Sequence, residues 1–196
     1  MSKNTGDSFE TEVFQLINRS IHSNEFLVCA PHIKLHRQKG YYSKDRDSQI
    51  KCDISIEKYL ADPDKEPAIR PSIIIVIECK DYCASISVNE VEEFHAKLQQ
   101  IGADNTKGIM ITRHGSYQKS ALTYAQSKGI ALARILPEDQ IQYILYEMPP
   151  DIYMLRHQFQ RFDALTQINY ISDRQSYFSL TNEPNLESLL SGLLIE

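Results

Sequence analysis

Asp53, Glu78 and Lys80 are the residues whose types and spacing could do chemistry together. The stretch Ser72–Tyr82, SIIIVIECKDY, runs five β-branched aliphatics straight into Glu78, Cys79 and Lys80. Such a run reads as a strand buried on both faces. Ionised side chains at its end are costly to desolvate unless they are paired or bind a metal. Alternation puts Glu78 and Lys80 on the same face, and Asp53 sits on the preceding strand. If those consecutive strands are neighbours, two carboxylates and one ammonium converge. Two carboxylates with room for waters suit Mg²⁺, which keeps much of its hydration shell. Such a metal would polarise a phosphoryl oxygen and lower the pKa of bound water, while the lysine orients that water or helps to deprotonate it. The chemistry expected is hydrolysis of a phosphodiester. The competing reading of the same residues is a structural Glu78–Lys80 pair at a strand terminus.

The elements that must position these residues can be read from periodicity. Residues 6–23 form an amphipathic pattern with Phe9, Val13, Leu16, Ile17 and Ile21 at helical spacing. FLVCAPHIKLH reads as a strand, and the basic stretch around Gly40 as a loop or hairpin end. IKCDISIEKYL reads as one strand with Ile50, Cys52, Ile54 and Ile56 on one face. The proline-rich ADPDKEPAIRP is a loop before the buried strand. Residues 87–101 read as a helix with a Ser87–Glu90 capping box and an inner stripe of Val91, Phe94, Leu98 and Ile101. Strand TKGIMIT, helix SYQKSALTYAQSKG and strand IALARIL follow. The order α-β-β-β-α-β-α-β predicts an α/β fold, a central mixed sheet flanked by helices. Beyond Pro137 a helix is expected over 137–148, another within 151–169, and a strand at RQSYFSLT. Residues 1–136 are thus expected to form the core, and 137–196 a C-terminal extension serving dimerisation or substrate contact.

Composition is that of a soluble globular protein, 42% hydrophobic and 24% charged. No apolar run reaches transmembrane length and no secretory signal is visible, so a cytoplasmic protein without membrane contact is expected. Cys29, Cys52, Cys79 and Cys83 form no CxxC pair and read as reduced thiols. The net charge of −5 is unevenly spread. Lys34, Arg37, Lys39, Lys44, Arg46 and Lys51 make a strip of about +4 on a chain otherwise near −9, which is compatible with phosphate contact or with a solvated hairpin rim. Tyr41 and Tyr42 within it could stack on bases or pack the hairpin. His32 and His36 lack a third zinc ligand nearby in sequence, and His114 sits at a strand end that could face the cleft. Serine-hydrolase, P-loop and dinucleotide motifs are missing from the sequence.

Asp53, a spacer of 24 residues and then ECK at 78–80 resembles the PD-(D/E)XK nuclease signature. The flanking GDSFETEV, CDISI, VIECKDY and VNEVEEFHAKLQQIGADNTKGIMIT resemble the Mrr-like restriction endonuclease branch, over roughly residues 6–135. The resemblance implies a restriction-endonuclease-like core and a Mg²⁺-dependent endodeoxyribonuclease, with Mn²⁺ able to substitute. It implies that Asp53 and Glu78 bind the metal with the main-chain carbonyl of Cys79, that Glu10 is an auxiliary carboxylate, and that Lys80 serves the water. It further implies duplex DNA as substrate, a homodimer, a role in defence, and a separate target-reading or activating partner. Cys52 stands where the signature has proline, and the padded spacer leaves Asp47 as a rival first acid. Two alternatives stay open: a catalytically silent nucleic-acid-binding subunit of this fold, or a same-fold nuclease acting on RNA or branched DNA.

Overall fold

The computed structural model describes residues 5–21, 32–137, 161–172, 176–180 and 186–195. Helix α1 (Thr5–Ile21) precedes strand β1 (Ile33–Arg37), the hairpin β2 (Gly40–Ser43) and β3 (Ser48–Lys51), and strands β4 (Ile54–Lys58) and β5 (Ile73–Lys80). Then come β6 (Ser85–Ile86), α2 (Val88–Gly102), β7 (Thr106–Thr112), β8 (Ser116–Tyr117), α3 (Lys119–Ser127) and β9 (Ala131–Ile135). Strand β10 (Tyr177–Ser179) and helix α4 (Leu186–Ile195) follow, with a helical segment at 161–166 between. The main sheet has six strands in the order β1-β4-β5-β7-β9-β10. Its middle is parallel, β5-β7-β9, and its outer pairs are antiparallel. This is the mixed sheet expected from the element order.

Each face of the sheet buries one apolar layer, which is why β5 is aliphatic from Ile73 to Ile77. Ile75 and Ile77 join Phe9, Val13 and Ile17 of α1 and Leu186, Leu189, Leu190 and Leu194 of α4. Ile74 and Val76 join Val91, Phe94 and Leu98 of α2 with Ala121 and Leu122 of α3. Gly108 on β7 permits the second layer to close: a Cβ there would lie 2.4 Å from Leu98 and 2.9 Å from Phe94. The expected capping box is present, the Glu90 carboxylate accepting the Ser87 N–H at 2.9 Å.

One expectation is corrected. Residues 50–57 are not a single strand with one apolar face. The chain breaks at Cys52–Asp53, so Ile50 and Cys52 pack in the α2 layer while Ile54 and Ile56 pack in the α1 layer. The cause is the β2–β3 hairpin, a separate two-stranded sheet. Its root is tied by the Gln38 N–H to the Asp53 carbonyl (2.7 Å) and by the Cys52 N–H to the Lys39 carbonyl (3.0 Å). The strand expected at FLVCAPHIKLH is described from His32 onward, the remainder lying outside the described residues. The helix expected over 137–148 falls almost wholly outside them.

The parts of 137–196 that are described are built into this architecture. Strand β10 lies where a strand is expected and pairs antiparallel with β9. Lys58 of β4 donates to the Leu194 carbonyl of α4. Arg134 of β9 is fully buried. Its guanidinium donates to the carbonyls of Ala164 (2.8 Å), Gln167 (2.5 Å), Ile168 (2.8 Å) and Arg113 (3.2 Å). A cation set on carbonyls at the end of the 161–166 helix is favourably placed toward the helix dipole.

Candidate active site

Antiparallel pairing of β4 with β5 sets Ile54 opposite Ile77, so Asp53 stands at the level of Glu78. The break at Cys52–Asp53 frees the Asp53 carboxylate, which accepts the Cys79 N–H at 2.8 Å. Glu78, only 8% exposed, faces the α2 side with Lys80. Lys80 donates to Glu78 Oε1 at 2.9 Å. Lys97 of α2 reaches the same oxygen at 3.3 Å. Glu10 comes in from α1 and accepts from Gln38 (3.0 Å) and Arg37 (3.3 Å). Asp53, Glu78, Lys80 and Glu10 are therefore brought together, whereas Asp47 sits in the exposed β2–β3 turn and accepts from Tyr42.

The electrostatics of this cluster are unbalanced in one respect. Burial, the charge of Glu78 and the proximity of Glu10 push the Asp53 carboxyl up to about 6, against the opposing Cys79 N–H bond. Burial would lower the Lys80 ammonium, but Glu78, Asp53 and Glu90 together raise it. Lys80 is thus a charged donor in this arrangement. Burial followed by the charges of Glu78 and Asp53 pushes the Cys52 thiol up to about 12, and burial likewise raises Cys79, so neither is a nucleophile. Cys52, Cys79 and Cys83 are free thiols, and Cys29 lies outside the described residues.

The donor set suits a hard divalent cation. No three His, Cys, Asp or Glu side chains among the described residues are grouped to hold a metal by themselves. Two crowded carboxylates at a sheet end are what a metal that retains its waters requires. A cation there would also relieve the repulsion that raises Asp53.

The basic strip divides in two. Lys34 pairs with Asp64 (2.6 Å), Arg37 with Asp7 and Glu10, and Lys39 with Glu57 (2.6 Å). These three are engaged within the fold, whereas Lys44, Arg46 and Lys51 are exposed on the hairpin and make no ion pair among the described residues. Glu57 anchors the hairpin root, its side chain 3% exposed. It accepts from Tyr59 (2.6 Å) and Tyr41 (2.8 Å) as well as Lys39, and lies 2.9 Å from His36. Burial alone would raise its carboxyl, but the bonds from Lys39, Tyr59 and Tyr41 outweigh that and hold it at about 2. Tyr41 is therefore a packing residue, while Tyr42 is 56% exposed. His32 has a positive φ outside β1, so it does not share a strand face with His36.

Lys97 is the site residue that sequence reasoning missed. It lies three residues after Phe94, on the border of the apolar stripe of α2. A lysine flanking a buried stripe above an acidic strand end is the signal that could have found it.

A mixed sheet covered on both faces, with one acid just before β4, a second on its antiparallel neighbour β5 and a lysine two residues after the second, defines the restriction-endonuclease-like class. The family model for the restriction endonuclease catalytic domain of Mrr type matches residues 32–136, and the chain belongs to that family. A comparison with curated proteins finds no match. Among solved structures, a protein of unknown function (AF1548) matches at 16% identity, over 61% of this chain and 55% of that one, with a TM-score of 0.42. That match spans little more than half of the other protein. No helix among the described residues is long and apolar enough to cross a membrane.

Proposed function

We propose that the chain is a Mg²⁺-dependent endodeoxyribonuclease acting on duplex DNA. The observation that carries this reading is the Asp53–Glu78–Lys80 cluster, two crowded carboxylates and a charged lysine at the end of a buried strand. Asp53 and Glu78, with the Cys79 main-chain carbonyl, would hold the metal. When bound, the metal supplies charge stabilisation at the phosphoryl group and a more acidic water. Lys80, as an ammonium, donates to and orients the attacking water, and attack in line would leave a 5′-phosphate and a 3′-hydroxyl. Glu10 acts as an auxiliary carboxylate and Lys97 keeps the Glu78 carboxylate aimed. Cutting both strands with one site per chain calls for a homodimer, with 137–196 a candidate surface. Target choice would come from a partner protein or the hairpin, and defence against foreign DNA in the cytoplasm is the biological role implied by the family.

The test is cleavage of supercoiled plasmid with Mg²⁺, Mn²⁺ or EDTA, beside single-stranded, branched and RNA substrates. Metal-dependent cutting of duplex is expected, reduced about 10²–10⁴-fold by Lys80→Ala. Cutting that persists in EDTA, or that Lys80→Ala leaves untouched, would refute the assignment. A protein that cuts no substrate would favour the silent-subunit reading.

Lys44, Arg46 and Lys51 are the cations that would meet the DNA backbone. Replacing all three with alanine is expected to lower the slope of log affinity against log salt by about 3, one for each phosphate no longer neutralised. Thermal stability should scarcely move, because the three side chains are exposed. An unchanged slope would remove the hairpin from the interface.

A further inference from the structure

The loops that follow β5 and β7 meet beside Lys80. Register pairs Lys80 with Thr112, so Asp81 and His114 lie one and two residues further along neighbouring parallel strands. Both stand at the carboxyl ends of those strands, where open α/β sheets take their ligands. The Asp81 side chain, although on a loop, is only 6% exposed and lies 2.6 Å from Nδ1 of His114. The His114 ring is 41% exposed, and its Nε2 has no hydrogen-bond partner among the described residues.

Holding the two loops together does not require this pair. They are already joined by the parallel β6–β8 pairing and by the Ser85 and Ser116 hydroxyls at 2.8 Å. Gly115 lies so close to the first loop that a Cβ would sit 2.9 Å from the Ala84 carbonyl oxygen and 3.0 Å from that of Tyr82. What Asp81 adds is a fixed direction for the imidazole. The neighbouring Arg113 is engaged elsewhere, paired with Glu12 and stacked 4.7 Å above the Phe9 ring.

We propose that His114 is a phosphate contact for the substrate strand, holding a backbone phosphate next to the one being cut, and that Asp81 is its positioning residue. An imidazolium has a donor on each nitrogen. With Nδ1 turned to Asp81, Nε2 is the nitrogen presented to a phosphate oxygen, which accepts from it when the ring carries both protons. This inference rests on the nuclease reading above and adds a subsite to it.

Duplex binding is measured in EDTA between roughly 50 and 200 mM salt for wild type, His114→Gln, His114→Arg and Asp81→Asn. His114→Gln and Asp81→Asn are expected to weaken binding by about 10-fold and to lower the salt slope by about 1. His114→Arg is expected to restore both, which a purely structural role would not produce. If His114→Gln keeps the wild-type affinity and slope, or His114→Arg fails to recover what glutamine loses, the phosphate subsite is refuted while wild-type cleavage still supports the nuclease. A wild type that binds no duplex at any salt, with EDTA or with Ca²⁺, refutes both.

Discussion

Asp53→Asn is expected to make the metal-free protein more stable while abolishing cleavage. Burial beside Glu78 and Glu10 raises the Asp53 carboxyl from 3.8 to about 6 in the fold. Between those values the folded chain holds a proton that the unfolded chain has released. Stability therefore falls as pH rises from about 4 to about 6, and the deficit persists above. After discounting for partial exposure, its size is about 1–2 kcal/mol. Asparagine keeps an acceptor for the Cys79 N–H and removes the charge. The variant should melt roughly 3–6 °C higher than wild type at pH 7.5 and lose that advantage below pH ~4. Adding Mg²⁺ should then raise the melting temperature of wild type and not of Asp53→Asn. Equal melting at pH 7.5 without metal would show that burial and the neighbouring carboxylates do not raise Asp53.

Arg134→Lys is expected to destabilise the fold strongly without touching the chemistry. The planar guanidinium offers five donors in a fixed fork, here spread over the carbonyls of Arg113, Ala164, Gln167 and Ile168. A lysine ammonium gathers its three donors at one point and leaves about two of those buried acceptors unmet. With a penalty of about 1–3 kcal/mol for each, the loss should be about 2–6 kcal/mol, or roughly 4–24 °C in melting temperature. Denaturation by urea would measure it. The folded fraction at low temperature should retain cleavage far better than Lys80→Ala does, and a loss of activity matching Lys80→Ala would contradict a structural role.

Two buried charges mark the boundary of what was legible in the sequence. Glu78 after five aliphatics and Arg134 inside IALARIL give the same signal, a charge in a buried strand. One lies at the candidate site and the other ties β9 to the 161–166 helix, and only tertiary structure distinguishes them. The approach of Asp53 to Glu78 was legible because consecutive strands tend to pair. The division of the basic strip was not, because Lys34, Arg37 and Lys39 find acids 18–30 residues away in sequence. The kink at Cys52–Asp53 was masked by perfect alternation, which continues in the sequence while the chain changes sheets. The core strands and helices α2 and α3 were readable because period and capping agree with the fold there.

The apolar layer shared by α1 and α4 has a consequence for how the protein is made. Phe9, Val13 and Ile17 leave the ribosome some 170 residues ahead of Leu186, Leu189, Leu190 and Leu194, which share their layer. At a translation rate of about 5–20 residues per second, that face stays uncovered for roughly ten seconds or longer. Once β4, β5 and β7 have emerged, the nascent chain would carry a half-covered sheet for the roughly 75 residues that still separate β7 from α4, about 4–15 seconds. A fold assembled in this order would close that layer only after α4 had been translated.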